Sequence, residues 1–354
     1  MTTSATIPSV SVIMATRGRP ENLAQLVPMV LADESVRHFV VVVDGEDDES
    51  VALLSSMRPR FDRLVFQQVP RSGQLPALEV GVTLTDADVV LLLDDDVVPT
   101  PGLAAAHARG HVGEHGLVLV GTMPVQLPAR HADIGSLLYA RSYLAHIARI
   151  EAGEHDVLDQ LWLGNVSIRR SDCLSVGLYS PDFTASYHAD QDLGFRLAEA
   201  GLVGRFDSSL VAAHRYRRSD PAFLHDSRRR GAGLLHLHSV HERLGPFDPT
   251  VFTRDLPAPV AAVVRRIGSS SMAPGVARVF LGLAGALGVV GWGGGRLRLA
   301  QVARRIMLFW GATAGEGAVP VSVAQRKVAA PVRRGRSYAR SRARDGASQH
   351  FAAN

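Results

Sequence analysis

The sequence predicts an α/β fold: a Rossmann-like, mostly parallel sheet covered by helices on both faces, followed by a C-terminal helical appendage. Three observations predict it. From residue 9 to about 120, short β-branched runs alternate with amphipathic stretches, the order that builds a parallel sheet with helical crossovers. The runs "FVVVV" and "VVLLL" are apolar at every position instead of every second one, as strands buried on both faces are. Beyond "GPFDPT" at 245–250 the composition shifts to Gly, Ala, Val and Arg, which sets a boundary near residue 245. The length of 354 residues agrees, because a single core stops growing at roughly 250–300 residues.

In order, "SVSVIMA" reads as the first strand and "PENLAQLVPMVLA" as the helix after it. "HFVVVVD" and "ESVALLSSM" repeat the pair, then "LVFQQV" and "QLPALEVGVTL", and "VVLLLD" closes a first half at about 9–120. Residues 121–245 are less regular: "DIGSLLYARSYLAHIARI" is helical, "WLGNVSIRRSDCLSVG" is a short strand and a helix, and "ADQDLGFRLAEAGL" is a helix opening with two acids. This second half is expected to close over the first.

In such sheets ligands bind beyond the carboxyl ends of the strands. Three strands end there in polar groups: Thr16-Arg17-Gly18-Arg19, Asp44-Gly45-Glu46-Asp47-Asp48 and Asp94-Asp95-Asp96. Three adjacent carboxylates need an explanation, since two like charges about 4 Å apart repel by about 4 kcal/mol at an effective dielectric near 20. A positive partner is expected. In an extended segment Asp94 and Asp96 share a side and Asp95 points away, and an acid pair at a sheet rim suits Mg²⁺ or Mn²⁺ completed by substrate phosphates and water. A helix cap or a solvated turn is the plainer alternative for these acids.

Composition excludes several classes. Cys173 is the single cysteine, so an internal disulfide and a cysteine metal site are out, which fits a reducing compartment. The N-terminal stretch has no basic segment ahead of a long apolar core, so no signal peptide is expected. The expected location is cytoplasmic, with peripheral attachment to the inner face of the cell membrane. The net charge of +4 is uneven, because "RKVAAPVRRGRSYARSRAR" gathers eight basic residues and no acid. Tyr338 is the lone aromatic near that cluster, which speaks against base stacking and a nucleic-acid partner.

At these motifs the chain resembles the inverting GT-A glycosyltransferases of family 2. "SVIMATRGRPENL" is similar to their first strand and turn, with Thr16 and Arg19 at matching positions. "VVVVDGEDDES" is similar to the second strand, ending in the base-contacting acid at Asp44, and "LLLDDDVVP" to their Asp-x-Asp element. "GNVSIRRSDCLSVGLYSPDF" resembles the acceptor-side segment, "ADQDLGFRLAEAGL" the helix carrying the catalytic base, and "VAAHRYRRS" the late metal-binding histidine. The resemblance covers about residues 9–245. It implies donor contacts from Thr16, Arg19, Asp44, Arg71, Asp94 and Asp95, a metal held by Asp94, Asp96 and His214, and Asp190 as the base. The segment "RSGQLPALEVG" departs from the family, with Leu78 and Glu79 where Arg-Asn is usual.

The implied function is metal-dependent, inverting transfer from a nucleotide-diphosphate sugar to an acceptor hydroxyl, with a saccharide or lipid-linked acceptor of the cell envelope. Such chemistry needs charge stabilisation on the departing diphosphate and a base within about 3 Å of the attacking hydroxyl. Asp190 and Asp192 could equally cap a helix N-terminus. Arg169, Arg170 and Arg228 to Arg230 are candidates for a diphosphate or an anionic acceptor, and Trp162 with Asn165 for a sugar-stacking wall. A sugar nucleotidyltransferase would share the sheet but carry a Gly-rich phosphate loop, absent from "MATRGRPENL"; a catalytically silent sugar-nucleotide-binding protein is the remaining alternative.

Residues 279–295 are 17 uncharged residues, short of the roughly 20 that span a bilayer. After them "RLRLAQVARRIMLFWG" places Leu299, Val302, Ile306 and Trp310 on one helical face and Arg304 and Arg305 on the other. A basic amphipathic helix of this kind predicts contact with an anionic membrane surface.

Overall fold

The computed structural model describes residues 6–127, 133–185, 187–289 and 292–314. The Arg-rich tail lies outside the described residues. The strands are β1 (Val10–Thr16), β2 (Val36–Asp44), β3 (Leu64–Val69), β4 (Val89–Leu93), β5 (Val97–Pro99), β6 (Leu117–Thr122), β7 (Asn165–Arg169) and β8 (Val203–His214). They form one sheet in the order β3-β2-β1-β4-β7-β6-β8-β5.

The first four strands are mutually parallel, as the alternating pattern predicts. Beyond β4 the sheet is mixed, because β7 runs antiparallel to both β4 and β6 while β8 runs parallel to β6. The uninterrupted apolar runs have a simple cause. Val41, Val43, Leu91 and Leu93 fill the core on one face of the sheet, while Val40, Val42, Val90 and Leu92 fill the core on the other. Each such side chain contributes about 1.5–3 kcal/mol when fully buried.

Helices α1 (Pro20–Leu31), α2 (Asp48–Met57), α3 (Gln74–Thr83) and α4 (Leu103–Gly110) follow the strands of the first half. The second half supplies α5 (Ile134–Glu151), α6 (Arg170–Val176), α7 (Ala189–Glu199) and α8 (Asp220–Val240). Glu79, at a position that departs from the family pattern, accepts a 3.0 Å hydrogen bond from the Tyr179 amide and ties α3 to the loop before α7. Leu78 beside it is buried in the core.

Under the second half lies a buried polar network. His107 meets Ser167 Oγ at 2.8 Å and Asn165 Oδ1 at 2.9 Å, and His111 meets the same hydroxyl at 2.8 Å. Burial pushes both imidazoles down to about 4. Between about pH 6.5 and 4 the folded state therefore binds fewer protons than the unfolded chain. The stability these histidines permit is complete above the upper value and is lost as pH falls through the window. Urea unfolding should show a midpoint that drops steeply from pH 6.5 to 4.5, with a shallower drop in His107→Gln.

The C-terminal helices are α9 (Ala258–Gly268), α10 (Ala273–Val289) and α11 (Gly293–Thr313). Helices α8 and α11 touch backbone to backbone. A Cβ on Gly231 would fall 2.0 Å from the Leu308 carbonyl oxygen, and one on Gly311 would fall 1.9 Å from that of Arg228. This close crossing turns the amphipathic face of α11 inward. Ile306 is buried beside Phe223 and Leu138, with Leu299, Val302 and Trp310 packed around that cluster. Arg304 and Arg305, expected on an open polar face, reach Ser142 and Asp255 instead. The exposed large apolar residues of the region lie on α9, α10, the turn between them and the turn after them: Val260, Val263, Met272, Val279, Leu283, Val289 and Trp292. Among the described residues, no helix is long and apolar enough to cross a membrane.

Candidate active site

The mouth forms where β1, β2 and β4 end. Strand β4 stops at Leu93, and Asp94 to Asp96 form a turn closed by the Val97 amide donating to the Asp94 carbonyl at 3.1 Å. The alternation expected of an extended segment therefore does not apply. Asp95 and Asp96 both reach the Arg19 guanidinium, at 2.6 and 2.9 Å. Arg19 is the positive partner that the acid cluster requires.

Asp95 is held further by Thr16 Oγ1 at 2.8 Å, and its backbone carbonyl by Asn22 Nδ2 at 2.8 Å. Thr16 and Arg19 thus dock the first turn onto the acid cluster. Asp94 stands apart, accepting from Gln74 Nε2 at 2.6 Å. Burial, with Asp96 and Asp95 beside it, pushes its carboxyl up to about 7. Gly164 makes room for it, since a Cβ there would lie 2.8 Å from Asp94 Oδ2, and its φ of +113° disfavours any side chain. Ala15, Thr16, Arg17, Arg19, Asp44, Gln74 and Asp94 to Asp96 line one cavity of about 320 Å³.

Strand β8 delivers His214. The β5–β8 pairing sets Val97 opposite His214, which leaves His214 Nε2 3.3 Å from Asp96 Oδ1. Tyr139 from α5 backs the ring, with its hydroxyl 3.5 Å from Nδ1, and stacks on Tyr216 at 4.0 Å between centroids. Burial raises the Asp96 carboxyl, but hydrogen bonding and charge from His214 and the Arg19 charge outweigh that and hold it below its ordinary value.

No group of three His, Cys, Asp or Glu side chains converges on a point among the described residues. The geometry instead offers Asp96 Oδ1 and His214 Nε2 as a pair, with Asp94 lining the same cavity as Asp96. That donor set fits a hard cation such as Mg²⁺ or Mn²⁺, which is commonly bound by one or two protein groups with substrate phosphates completing the shell.

Asp44 lines the cavity, but its Oδ1 accepts from the Ser72 and Gly73 amides at 2.6 and 3.2 Å, so it also fixes the loop before α3. Arg71 is exposed on that loop, with its Cβ against Gly45, and does not line the cavity. Asp190 opens α7 after His188, whose φ of +67° is unusual for a side-chain-bearing residue. Burial pushes the Asp190 carboxyl up to about 6, against hydrogen bonding from the Gln191 amide and the charge of Arg230. Its charge is felt at Asp94, so the two carboxyls lie within electrostatic range of each other. Asp192, one turn position on, is locked by Arg196 Nε at 3.0 Å and His241 Nε2 at 2.9 Å. It ties α7 to the end of α8.

Several sequence candidates stand elsewhere. Asn165 is buried in β7, bonded to His107 and to the carbonyls of Thr122 and Leu210, and forms no acceptor wall. Trp162 is wedged between His146 and Phe206. Because β7 is antiparallel, Asn165 pairs with Leu93 at the mouth while Arg169 pairs with Val89 at the far end. Arg169 caps the loop after α4 through the Glu114 and His111 carbonyls, and Arg170 caps α3 through that of Val82. Arg228 lies over Trp310 at 4.3 Å and Arg229 over Tyr187 at 5.5 Å. Arg230 alone of that run is among the charges that act on Asp190. Gln74 and Tyr139 carry no pattern in the sequence that marks them for the site.

A parallel first half, an acid turn at its switch point and a second half carrying a buried acid and a histidine define a fold of GT-A type. Residues 11–166 match the family described as Glycosyl transferase family 2. The chain is 23% identical over 302 residues to the uncharacterized glycosyltransferase YfnE of Bacillus subtilis (strain 168), an alignment covering 69% of this chain and 76% of the relative. Its fold is similar to that of the mannosyltransferase PcManGT from Pyrobaculum calidifontis, solved in complex with GDP-Man and Mn²⁺. That match has a TM-score of 0.57 and 14% identity, and covers 88% of this chain and 89% of the other.

Proposed function

We propose that the protein transfers a sugar from a nucleotide-diphosphate sugar to an acceptor hydroxyl in one displacement, with inversion at the anomeric carbon and with help from Mn²⁺ or Mg²⁺. The observation that carries the reading is the pair at the mouth, Asp96 and His214, 3.3 Å apart, with the buried Asp190 within electrostatic range of Asp94. Asp96 and His214, with Asp94 nearby, would hold the cation, which supplies positive charge to the departing diphosphate. Arg19 fixes Asp95 and Asp96 so that the cluster needs no reorganisation during the reaction. Asp190 takes the proton of the acceptor hydroxyl, and its raised carboxyl keeps it a usable base near neutral pH.

A single displacement requires the product anomer to be opposite to the donor's. NMR of the product should show inversion, and a retained anomer would contradict the mechanism.

For the acceptor, a saccharide of the cell envelope or one carried on a lipid suits the C-terminal helices. From residue 256 to 314 every charged residue is arginine, seven in all, and α9 and α10 expose Val263, Val279 and Leu283. Each arginine near an anionic leaflet contributes about 1 kcal/mol, screened by salt. The full chain is expected to sediment with anionic liposomes at low salt, and Val279→Asp with Leu283→Asp to weaken this more than salt does. Equal sedimentation of both proteins would remove this face from the interface.

A further inference from the structure

Helices α5 and α11 enclose a cavity of about 180 Å³ that shares no lining residue with the mouth at Asp94 to Asp96, with Arg141, Ser142, Gln301, Arg304 and Arg305 among its lining residues. Three guanidinium groups around one small space call for a negative partner. Arg305 has one of this chain, Asp255, which accepts at both oxygens, one of them at 2.6 Å. Arg304 does not. Its hydrogen bond among the described residues is to Ser142 Oγ at 3.1 Å. Its charged neighbours are Arg230 and Arg305, and burial together with those two cations pushes its guanidinium down to about 9.

A partly buried guanidinium with no carboxylate costs stability unless a ligand supplies the charge. The chemistry of the cavity fits a phosphate, whose oxygens match the planar fork of arginine. Location adds a second constraint. Arg230 on α8 is felt both by Arg304 and by Asp190, so one cation stands between the cavity and the group that would take the acceptor's proton.

We propose that the cavity between α5 and α11 binds a phosphate or diphosphate group carried by the acceptor, held by Arg304 with Arg141 and Ser142. The proposal rests on the transferase reading and narrows its acceptor to a phosphorylated one. The phosphate could belong to a lipid carrier or to a water-soluble phosphosaccharide, and the cavity chemistry is the same for both.

The test uses the full chain in the presence of a metal chelator, which removes metal-linked affinity at the donor mouth. Calorimetry follows binding of inorganic pyrophosphate and, in a second arm, farnesyl diphosphate. The wild-type chain should bind both, and Arg304→Gln should weaken each by about tenfold or more, the loss expected for a charge-assisted hydrogen bond. Arg304→Lys should retain part of the affinity, and the exposed Arg141→Gln should lose part of it. Tighter binding of the farnesyl compound would support a lipid-linked acceptor, and equal binding a soluble one. Thermal melting of Arg304→Gln alone should match or exceed that of wild type, since an uncompensated charge is removed. Equal pyrophosphate affinity in wild type and Arg304→Gln would overturn the proposal. So would a lowered melting point in both Arg304 variants together with unchanged binding in Arg141→Gln. Donor hydrolysis by the wild-type chain, measured on the same preparation, reports separately on the transferase reading.

Discussion

Asp190→Asn is expected to lower sugar transfer by about 10²- to 10⁴-fold, the range for a lost general base, while donor affinity stays near that of wild type. The substitution keeps the size and the hydrogen bond from the Gln191 amide but cannot accept a proton. The pH profile gives an independent reading. A base must be deprotonated to act, and burial sets this carboxyl at about 6. The wild-type kcat/KM should therefore be full above about pH 7 and fall toward tenfold per unit below 6, and this limb should vanish in the variant. Asp192 cannot replace it, because Arg196 and His241 occupy its two oxygens. Near-normal turnover in Asp190→Asn would remove Asp190 from the mechanism.

Asp96→Ala is expected to abolish metal-dependent donor binding while leaving the fold intact. Arg19 keeps its 2.6 Å bond to Asp95, and Thr16 keeps its own, so the first turn remains docked. Asp94 loses its strongest acidic neighbour, so thermal stability should hold or rise. A directly placed ligand should carry at least the roughly 10- to 100-fold in metal affinity that outer-shell partners do. Calorimetry of a nucleotide sugar with Mn²⁺ reads the effect. Unchanged affinity would sink the assignment of Asp96.

What the sequence made legible was what depends on local pattern. The runs at 39–43 and 89–93 are apolar throughout because helices cover both faces, and that periodicity survives without knowledge of partners. The polar strand ends follow, since a parallel sheet brings them to one mouth. Strand β8 was not legible as a strand, because its first half, "VGRFDSS", is largely exposed or half-buried and carries no apolar run. Its end shows only as the histidine motif. Asn165 reads in the sequence, with Trp162, as part of a sugar-stacking wall. An antiparallel neighbour, which local pattern does not reveal, buries it among carbonyls. The turn at Asp94 to Asp96 hid for a related reason: alternation assumes an extended chain, and the strand ends one residue earlier. For α11 the apolar stripe was visible, but its partner depends on Gly231 and Gly311, 80 positions apart in the chain, meeting across a helix crossing.

The most direct test of the central claim is release of nucleoside diphosphate. A panel of sugar nucleotides would be incubated with the full chain and Mn²⁺ or Mg²⁺, with a chelated control and with Asp96→Ala alongside. Release is expected from at least one donor, dependent on the cation and absent in the variant. Release that persists equally in chelator and in Asp96→Ala would contradict it, as would a panel in which no donor is turned over.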